Sequence, residues 1–110
     1  EVLRLFSERL AKSVRSKDLA SRYGGEEFLI AMPETDRELA VVVAERMRKD
    51  IAENPFNVSN GSIQITITLS AGIAAIEGSS DSVEELLKRA DAALFDAKRA
   101  GRNRVMSQAA

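Results

Sequence analysis

Apolar residues recur along this chain with two alternating periods. Val2/Leu3, Phe6, Leu10 and Val14 stand at helical spacing with Arg4, Glu8, Arg9 and Lys12 between them, which predicts an amphipathic helix over residues 1–14. Leu19 to Tyr23 and Phe28 to Met32 read as two strands joined by a glycine turn, a β-hairpin closed by Pro33. Thr35-Asp36-Arg37-Glu38 has the Thr-x-x-Glu spacing of a capping box. The helix behind it is expected to bury Leu39, Val43, Ala44, Met47 and Ile51, and to stop before Asn54-Pro55. Ile63, Ile65, Ile67, Leu69, Ala71 and Ile73 alternate with Gln64, Thr66, Thr68 and Ser70. That pattern predicts one long one-sided strand, entered by an Asn60-Gly61 turn, with Phe56–Val58 as a short partner. Ser82-Val83-Glu84-Glu85 is a second capping box, opening a helix whose inner face is Val83, Leu86/Leu87, Ala90, Ala93/Leu94 and Ala97. Gly101 ends that helix as its C′ residue, and Val105-Met106 predicts a last short strand.

The order is helix, hairpin, helix, strand, helix, which suits helices covering one face of an antiparallel sheet, an α+β sandwich. It is also the order of a ferredoxin-like βαββαβ unit whose first strand is missing from this chain. A chain of 110 residues makes one domain. Its net charge of −1 argues against a general binder of DNA or RNA, while leaving room for a local cationic pocket. Cysteine and histidine are both absent, so disulfides, thiolate nucleophiles, zinc sites and histidine general bases are excluded within the chain. Chemistry here rests on carboxylates, Lys, Arg, hydroxyls, backbone amides and a bound metal. No apolar run approaches the roughly 18 residues of a membrane span, and a cytoplasmic location is expected from the missing cysteines. The chain opens in mid-pattern without a methionine, and is expected to be a fragment.

Three groups of residues are candidates for chemistry. Gly24-Gly25-Glu26-Glu27 places two adjacent carboxylates after a glycine pair that permits a tight turn and leaves room for a ligand. Such hard oxygens suit Mg²⁺ held against a triphosphate, but the same four residues also make an ordinary hairpin with solvated acids. Strand alternation sends Glu26 and Glu27 to opposite faces, so they need not share one task. Lys98 and Arg102 stand four residues apart, on one face of a continuing helix, able to close on a polyphosphate; equally, they are cations offsetting a helix C-terminus. Arg15-Ser16-Lys17-Asp18 is a weak Arg-x-x-Asp signal, also readable as a helix-terminal cation followed by a turn aspartate.

Arg22-Tyr23-Gly24-Gly25-Glu26-Glu27-Phe28 followed by Leu-Ile-Ala-Met-Pro closely resembles the signature of GGDEF-family diguanylate cyclases, in its GGEEF variant. Ser70-Ala71-Gly72-Ile73-Ala74 and the run from Asp91 to Asn103 are similar to two further motifs of that family, in the family's order. The resemblance covers essentially the whole chain. It implies a nucleotidyl-cyclase-type α+β fold, with residues 1–110 forming the C-terminal two-thirds of a single GGDEF domain. It implies condensation of two GTP molecules to cyclic di-GMP with release of pyrophosphate, using Mg²⁺ or Mn²⁺ in two-metal chemistry. Glu26 then resembles the metal-binding carboxylate, and Glu27 the acid that contacts metal or activates the 3′-hydroxyl. Gly25, Lys98 and Arg102 resemble the substrate-binding residues. Arg15 and Asp18 match the family's product-inhibition site for cyclic di-GMP, supplemented by Arg46. A homodimer and an upstream sensory or receiver domain are implied partners.

The family's first-strand aspartate and its guanine-reading Asn and Asp side chains have no counterpart in these residues. The chain alone is therefore expected to be inactive or nearly so. Two other classes fit part of the pattern: a non-catalytic sensor that binds cyclic di-GMP or GTP, and another palm-type nucleotidyl cyclase. P-loop and dinucleotide enzymes are excluded, because neither glycine-rich signature occurs.

Overall fold

A computed structural model of the chain describes residues 2–107. Three helices and six short strands follow one another as α1 (Val2–Ser13), β1 (Leu19–Gly24), β2 (Glu27–Ala31), α2 (Arg37–Glu53), β3 (Phe56–Val58), β4 (Ile63–Ile65), β5 (Ala71–Ile73), α3 (Val83–Arg99) and β6 (Val105–Ser107). The mixed α+β class expected from the sequence is the class observed.

The sheet is made differently from that expectation. Among the described residues it consists of three two-stranded pieces: β1 with β2 antiparallel, β3 with β4 antiparallel, and β5 with β6 parallel. The predicted long strand over 63–73 is two strands. Ile63–Ile65 pairs back on β3, Ala71–Ile73 pairs with β6, and residues 66–70 lie between them without strand pairing. Burial still alternates along Ile65, Thr66, Ile67 and Thr68, so the side-chain period survives where the ladder does not.

Leu10 of α1 meets Val43 and Met47 of α2 in a core flanked by Phe6, Val14, Phe28, Ile30 and Met32. The Phe6 ring lies 5.4 Å from Phe28 and 6.4 Å from Phe56, centroid to centroid, tying α1 to β2 and β3. Arg9 lays its guanidinium over Phe56 at 3.6 Å and donates to the carbonyls of Asn54 and Pro55.

The inner face of α2 holds Val43, Ala44, Met47 and Ile51 as expected, and differs only at its first position. Ala40 is buried and Leu39 is exposed. The cap also differs from the expected Thr35: Asp36 is the N-cap, and its carboxylate accepts from the Leu39 amide at 2.8 Å. Ser82 caps α3 as predicted, accepting from the Glu85 amide at 3.1 Å. Its own amide donates to Asp81 at 2.8 Å, in the place where a capping box would use Glu85. Val83, read as part of the inner face, is exposed.

Helix α3 lies against β5 through small residues. Ala93 and Ala97 are fully buried, and a Cβ on Gly72 would sit 2.2 Å from the Ala90 carbonyl oxygen and 2.3 Å from the Leu94 nitrogen. Only glycine permits this approach, which explains the Gly72 of the Ser-Ala-Gly-Ile stretch in steric terms. The loop into α3 is tied by Arg89, which binds Asp81 at 2.6 and 3.1 Å and the Ala75 carbonyl at 2.8 Å. Those bonds, with amide donation from Glu77 and Ser82, hold the Asp81 carboxyl far below the usual carboxylate range.

Candidate active site

The β1–β2 hairpin turns through Gly25 at φ +51°, a left-handed conformation that favours glycine. Register runs from Leu19↔Ala31 to Arg22↔Phe28, then shifts so that Gly24 faces Glu27 and Tyr23 is left out of the pairing. Such an irregularity twists the hairpin tip and re-aims the side chains beyond it. Arg22 fixes the tip, donating from Nε and Nη2 to the Gly25 carbonyl at 2.9 and 2.8 Å. In the sequence Arg22 stands only as a member of the motif. Its position three residues before Gly25 was the available signal for this bracing role. Added Cβ atoms at Gly24 and Gly25 would meet nothing within 4 Å, so the tip stands open.

Glu26 sits exposed in the turn, and Glu27 opens β2 with its side chain about half exposed (48%). The Lys98 ammonium approaches the Glu27 carboxylate at 3.7 Å. A residue of the first hairpin and one near the end of the last helix are thus brought to one corner, an anionic hairpin tip facing the cationic end of α3. Two exposed carboxylates offer hard oxygen ligands, and Mg²⁺ typically takes one or two carboxylates plus the phosphates of its substrate. Among the described residues no group of three or more Asp, Glu, His or Cys gathers as a metal cage. The donor set fits a metal that arrives with a nucleotide.

Arg102 is reached by a different route from the one its spacing suggests. Helix α3 ends at Arg99, and Ala100 is its C-cap. The Gly101 amide then donates to Lys98 O at 3.4 Å and the Arg102 amide to Ala97 O at 3.0 Å, a Schellman closure. Arg102 is therefore not on the helical face of Lys98. It lies past the cap at φ +62°, exposed, on a turn that leads into β6.

Arg15 and Asp18 do come together. Arg15 Nε and Nη2 each donate to the Asp18 carboxylate at 2.9 Å, and the Arg15 amide adds a bond at 3.1 Å. Nη2 also donates to Thr35 Oγ1 at 2.7 Å, joining the end of α1 to the loop before α2. The Asp18 side chain is wholly buried and that of Arg15 is 23% exposed. Arg15 holds Asp18 below the ordinary carboxylate range, by hydrogen bonds first and charge second, and Asp18 raises Arg15 in return. Arg46 stands exposed on α2 and lines a shallow hollow with Ser13, Met47 and Asp50, beside the end of α1 that leads to Arg15.

Residues 1–104 match the family described as diguanylate cyclase, GGDEF domain, and the chain belongs to that family. It is 47% identical over 110 residues to the response regulator PleD of Caulobacter vibrioides, covering 100% of this chain and 24% of that protein. It thus spans about a quarter of that relative's length. Among solved structures it resembles the active GGEEF domain of a diguanylate cyclase from Vibrio cholerae, with TM-score 0.83 and 30% identity, covering 99% of this chain and 67% of that one. It also resembles the GGDEF domain of DgcB from Caulobacter crescentus, solved in complex with c-di-GMP, with TM-score 0.81 and 26% identity, covering 96% and 60%.

Proposed function

We propose that this chain forms the catalytic corner of a diguanylate cyclase, which joins two GTP molecules into cyclic di-GMP and releases two pyrophosphates. The observation that supports the reading is the Glu27–Lys98 approach of 3.7 Å, which brings a half-exposed carboxylate of the hairpin and a half-exposed cation of α3 to one corner. In this reading Lys98 and Arg102 grip the triphosphate, and Gly25 lets the nucleotide come close to the backbone. The 3′-hydroxyl oxygen of one GTP attacks the α-phosphorus of the other. The bond to the β-phosphate oxygen breaks as the new ester forms, and the hydroxyl proton passes to Glu27. Lys98 and Arg102 offset the charge that develops on the departing pyrophosphate. Glu26 and Glu27 would hold Mg²⁺ or Mn²⁺, which supplies charge neutralisation at the phosphates when bound. The second ester forms by the same step with the roles of the nucleotides exchanged, in a two-fold pairing of two such domains.

Product binds at a separate place in this reading, through Arg15, Asp18 and Arg46. An upstream sensory or receiver domain controls the pairing, in the cytoplasm where GTP is found. In this reading the 110 residues alone bind metal weakly and are inactive or nearly so, in keeping with the two-carboxylate donor set at the hairpin.

The direct test is chromatographic detection of cyclic di-GMP made from GTP and Mg²⁺ by the full-length protein, beside its Glu27→Gln form. Product from the native protein and loss of roughly 100-fold or more in the variant are expected, the scale set by losing a positioned proton acceptor. A native protein that binds GTP without turnover would establish the sensor reading instead. Calorimetry with cyclic di-GMP tests the product site: Arg15→Ala should abolish binding, and unchanged affinity would refute the assignment.

A further inference from the structure

The turn carrying Arg102 is conformationally expensive. Gly101, Arg102 and Asn103 have φ of +123°, +62° and +48°, three consecutive residues in the left-handed half of backbone space. Glycine takes such angles freely and asparagine readily, so the cost falls on Arg102, which persists there only where its surroundings over-determine it. The Schellman bonds account for Gly101 and for the Arg102 amide. Beyond them, the Asn103 amide donates to Ser70 Oγ at 3.2 Å and Arg104 Nε donates to the Arg102 carbonyl at 3.1 Å. A further tie comes from another helix. Arg48 of α2 donates from Nη1 to Asn103 Oδ1 at 2.9 Å, across 55 residues of sequence.

Arg48 is itself held in place. Its Nε donates to both Glu45 carboxylate oxygens at 3.0 and 3.1 Å, and its Nη2 also donates to Glu45. The Arg48 side chain is 17% exposed, so it has little freedom to turn elsewhere. Glu45 engages one edge of the guanidinium, and Nη1 is thereby presented to Asn103. A planar fork can serve both partners at once, whereas a lysine ammonium offers no such fixed geometry.

We propose that Arg48, oriented by Glu45 and acting through Asn103, is a positioning residue that keeps Arg102 in the left-handed conformation from which it would bind phosphate. Without that tie the Asn103 carboxamide loses its acceptor contact with α2, and the turn relaxes towards ordinary backbone angles that aim Arg102 elsewhere. This inference rests on the reading of Arg102 as a phosphate ligand. It adds that nucleotide affinity depends on a helix that carries none of the proposed substrate ligands.

The test is calorimetric titration of the full-length protein with GTP in Mg²⁺ and with inorganic triphosphate, together with NMR of the Arg102 and Asn103 amides and a thermal melt of each variant. Arg102→Ala reports on the phosphate reading. Arg48→Gln should weaken both ligands about ten-fold, a scale typical of removing the support behind a ligand-holding side chain. It should also move the Arg102 and Asn103 amide signals before any ligand is added. Arg48→Lys should rescue little. Asn103→Gly keeps the left-handed turn accessible while removing the acceptor, and should weaken binding to a similar degree. Adding Arg48→Gln to Asn103→Gly should then weaken it no further. If Arg102→Ala weakens binding and Arg48→Gln does not, the positioning role is overturned and the phosphate reading stands. Losses at Arg48 and Asn103 that simply add also overturn it. If Arg102→Ala binds as the native chain does, the phosphate reading falls and this role falls with it.

Discussion

Replacing Gly72 by alanine puts a single methyl group where α3 crosses β5. That carbon would stand 2.2 Å from Ala90 O, 2.3 Å from Leu94 N and 2.8 Å from Leu94 Cα, whereas ordinary contact begins at 3.4 Å. All three obstacles are helix backbone, so no side chain can swing aside. The helix must retreat by about 1 Å, separating Ala93 and Ala97 from the strand they cover, or β5 must give up its pairing with β6. Overpacking of this kind typically costs about 1–3 kcal/mol, and a backbone-to-backbone clash belongs at the upper end. At roughly 4–8 °C per kcal/mol for a small domain, Tm should fall by about 10 °C or more. A shift of about 1 Å at α3 also displaces Lys98 relative to Glu27, on the scale at which losses of roughly 100-fold in catalysis are known. Two measurements check this: a circular-dichroism melt of Gly72→Ala, and its affinity for GTP in Mg²⁺. An unchanged Tm would show that the helix–strand approach is looser than described and would refute the steric argument. A lowered Tm with unaltered GTP affinity would refute only the link from that approach to the site.

Three further outcomes are expected. Asp36→Ala should destabilise the chain by about 1 kcal/mol in urea unfolding, because it removes the N-cap of α2, and Glu38→Ala should have little effect because no capping box forms there. Asp18 has its folded pKa lowered by Arg15, so its stabilising contribution is fully present above the unfolded value of about 3.9 and is lost as pH falls through the folded value. Asp18→Asn should accordingly lower Tm by about 5 °C or more at pH 7 and flatten its decline between about pH 5 and 2, which melts across that range will measure. Gly101→Ala should cost about 1–2 kcal/mol in the same unfolding assay, since its φ of +123° strains any L side chain, and it should disturb Arg102 more than Lys98 in NMR.

What could be read from the sequence was whatever depends on neighbours along the chain. Helical and strand periods located all three helices, and the glycine pair located the hairpin within a residue or two of Leu19–Gly24 and Glu27–Ala31. Pairing depends on what lies across space, so the alternating run 63–73 could not announce that it changes partners at residues 66–70. Cap choice was ambiguous for a local reason: Thr35 and Asp36 are both good caps, and Thr35 is instead engaged by Arg15 and the Pro33 carbonyl. The site was legible through motifs, but its geometry was not. Spacing put Lys98 and Arg102 on one helical face, although Gly101, read correctly as the C′ residue, ends the helix between them. Arg48 and Arg89 were invisible as anything but helix charges, because their partners Asn103, Asp81 and Ala75 lie 55, 8 and 14 residues away.

The closed Arg15–Asp18 pair gives the proposed product site a built-in competitor. An anionic ligand that takes Arg15 must first displace a carboxylate held at 2.9 Å, and must leave that buried carboxylate either solvated or bonded to the ligand itself. The competitor is tethered three residues away, so its effective concentration is fixed and cannot be diluted. A ligand that offered Arg15 two oxygens and Asp18 a donor together would replace both halves of the pair at once. Thr35 shares the same guanidinium, so a ligand that draws Arg15 away also unfastens the end of α1 from the loop leading into α2. Occupancy would then be felt as a mechanical release between two helices, one of which is also bonded, through Arg48 and Asn103, to the turn that carries Arg102.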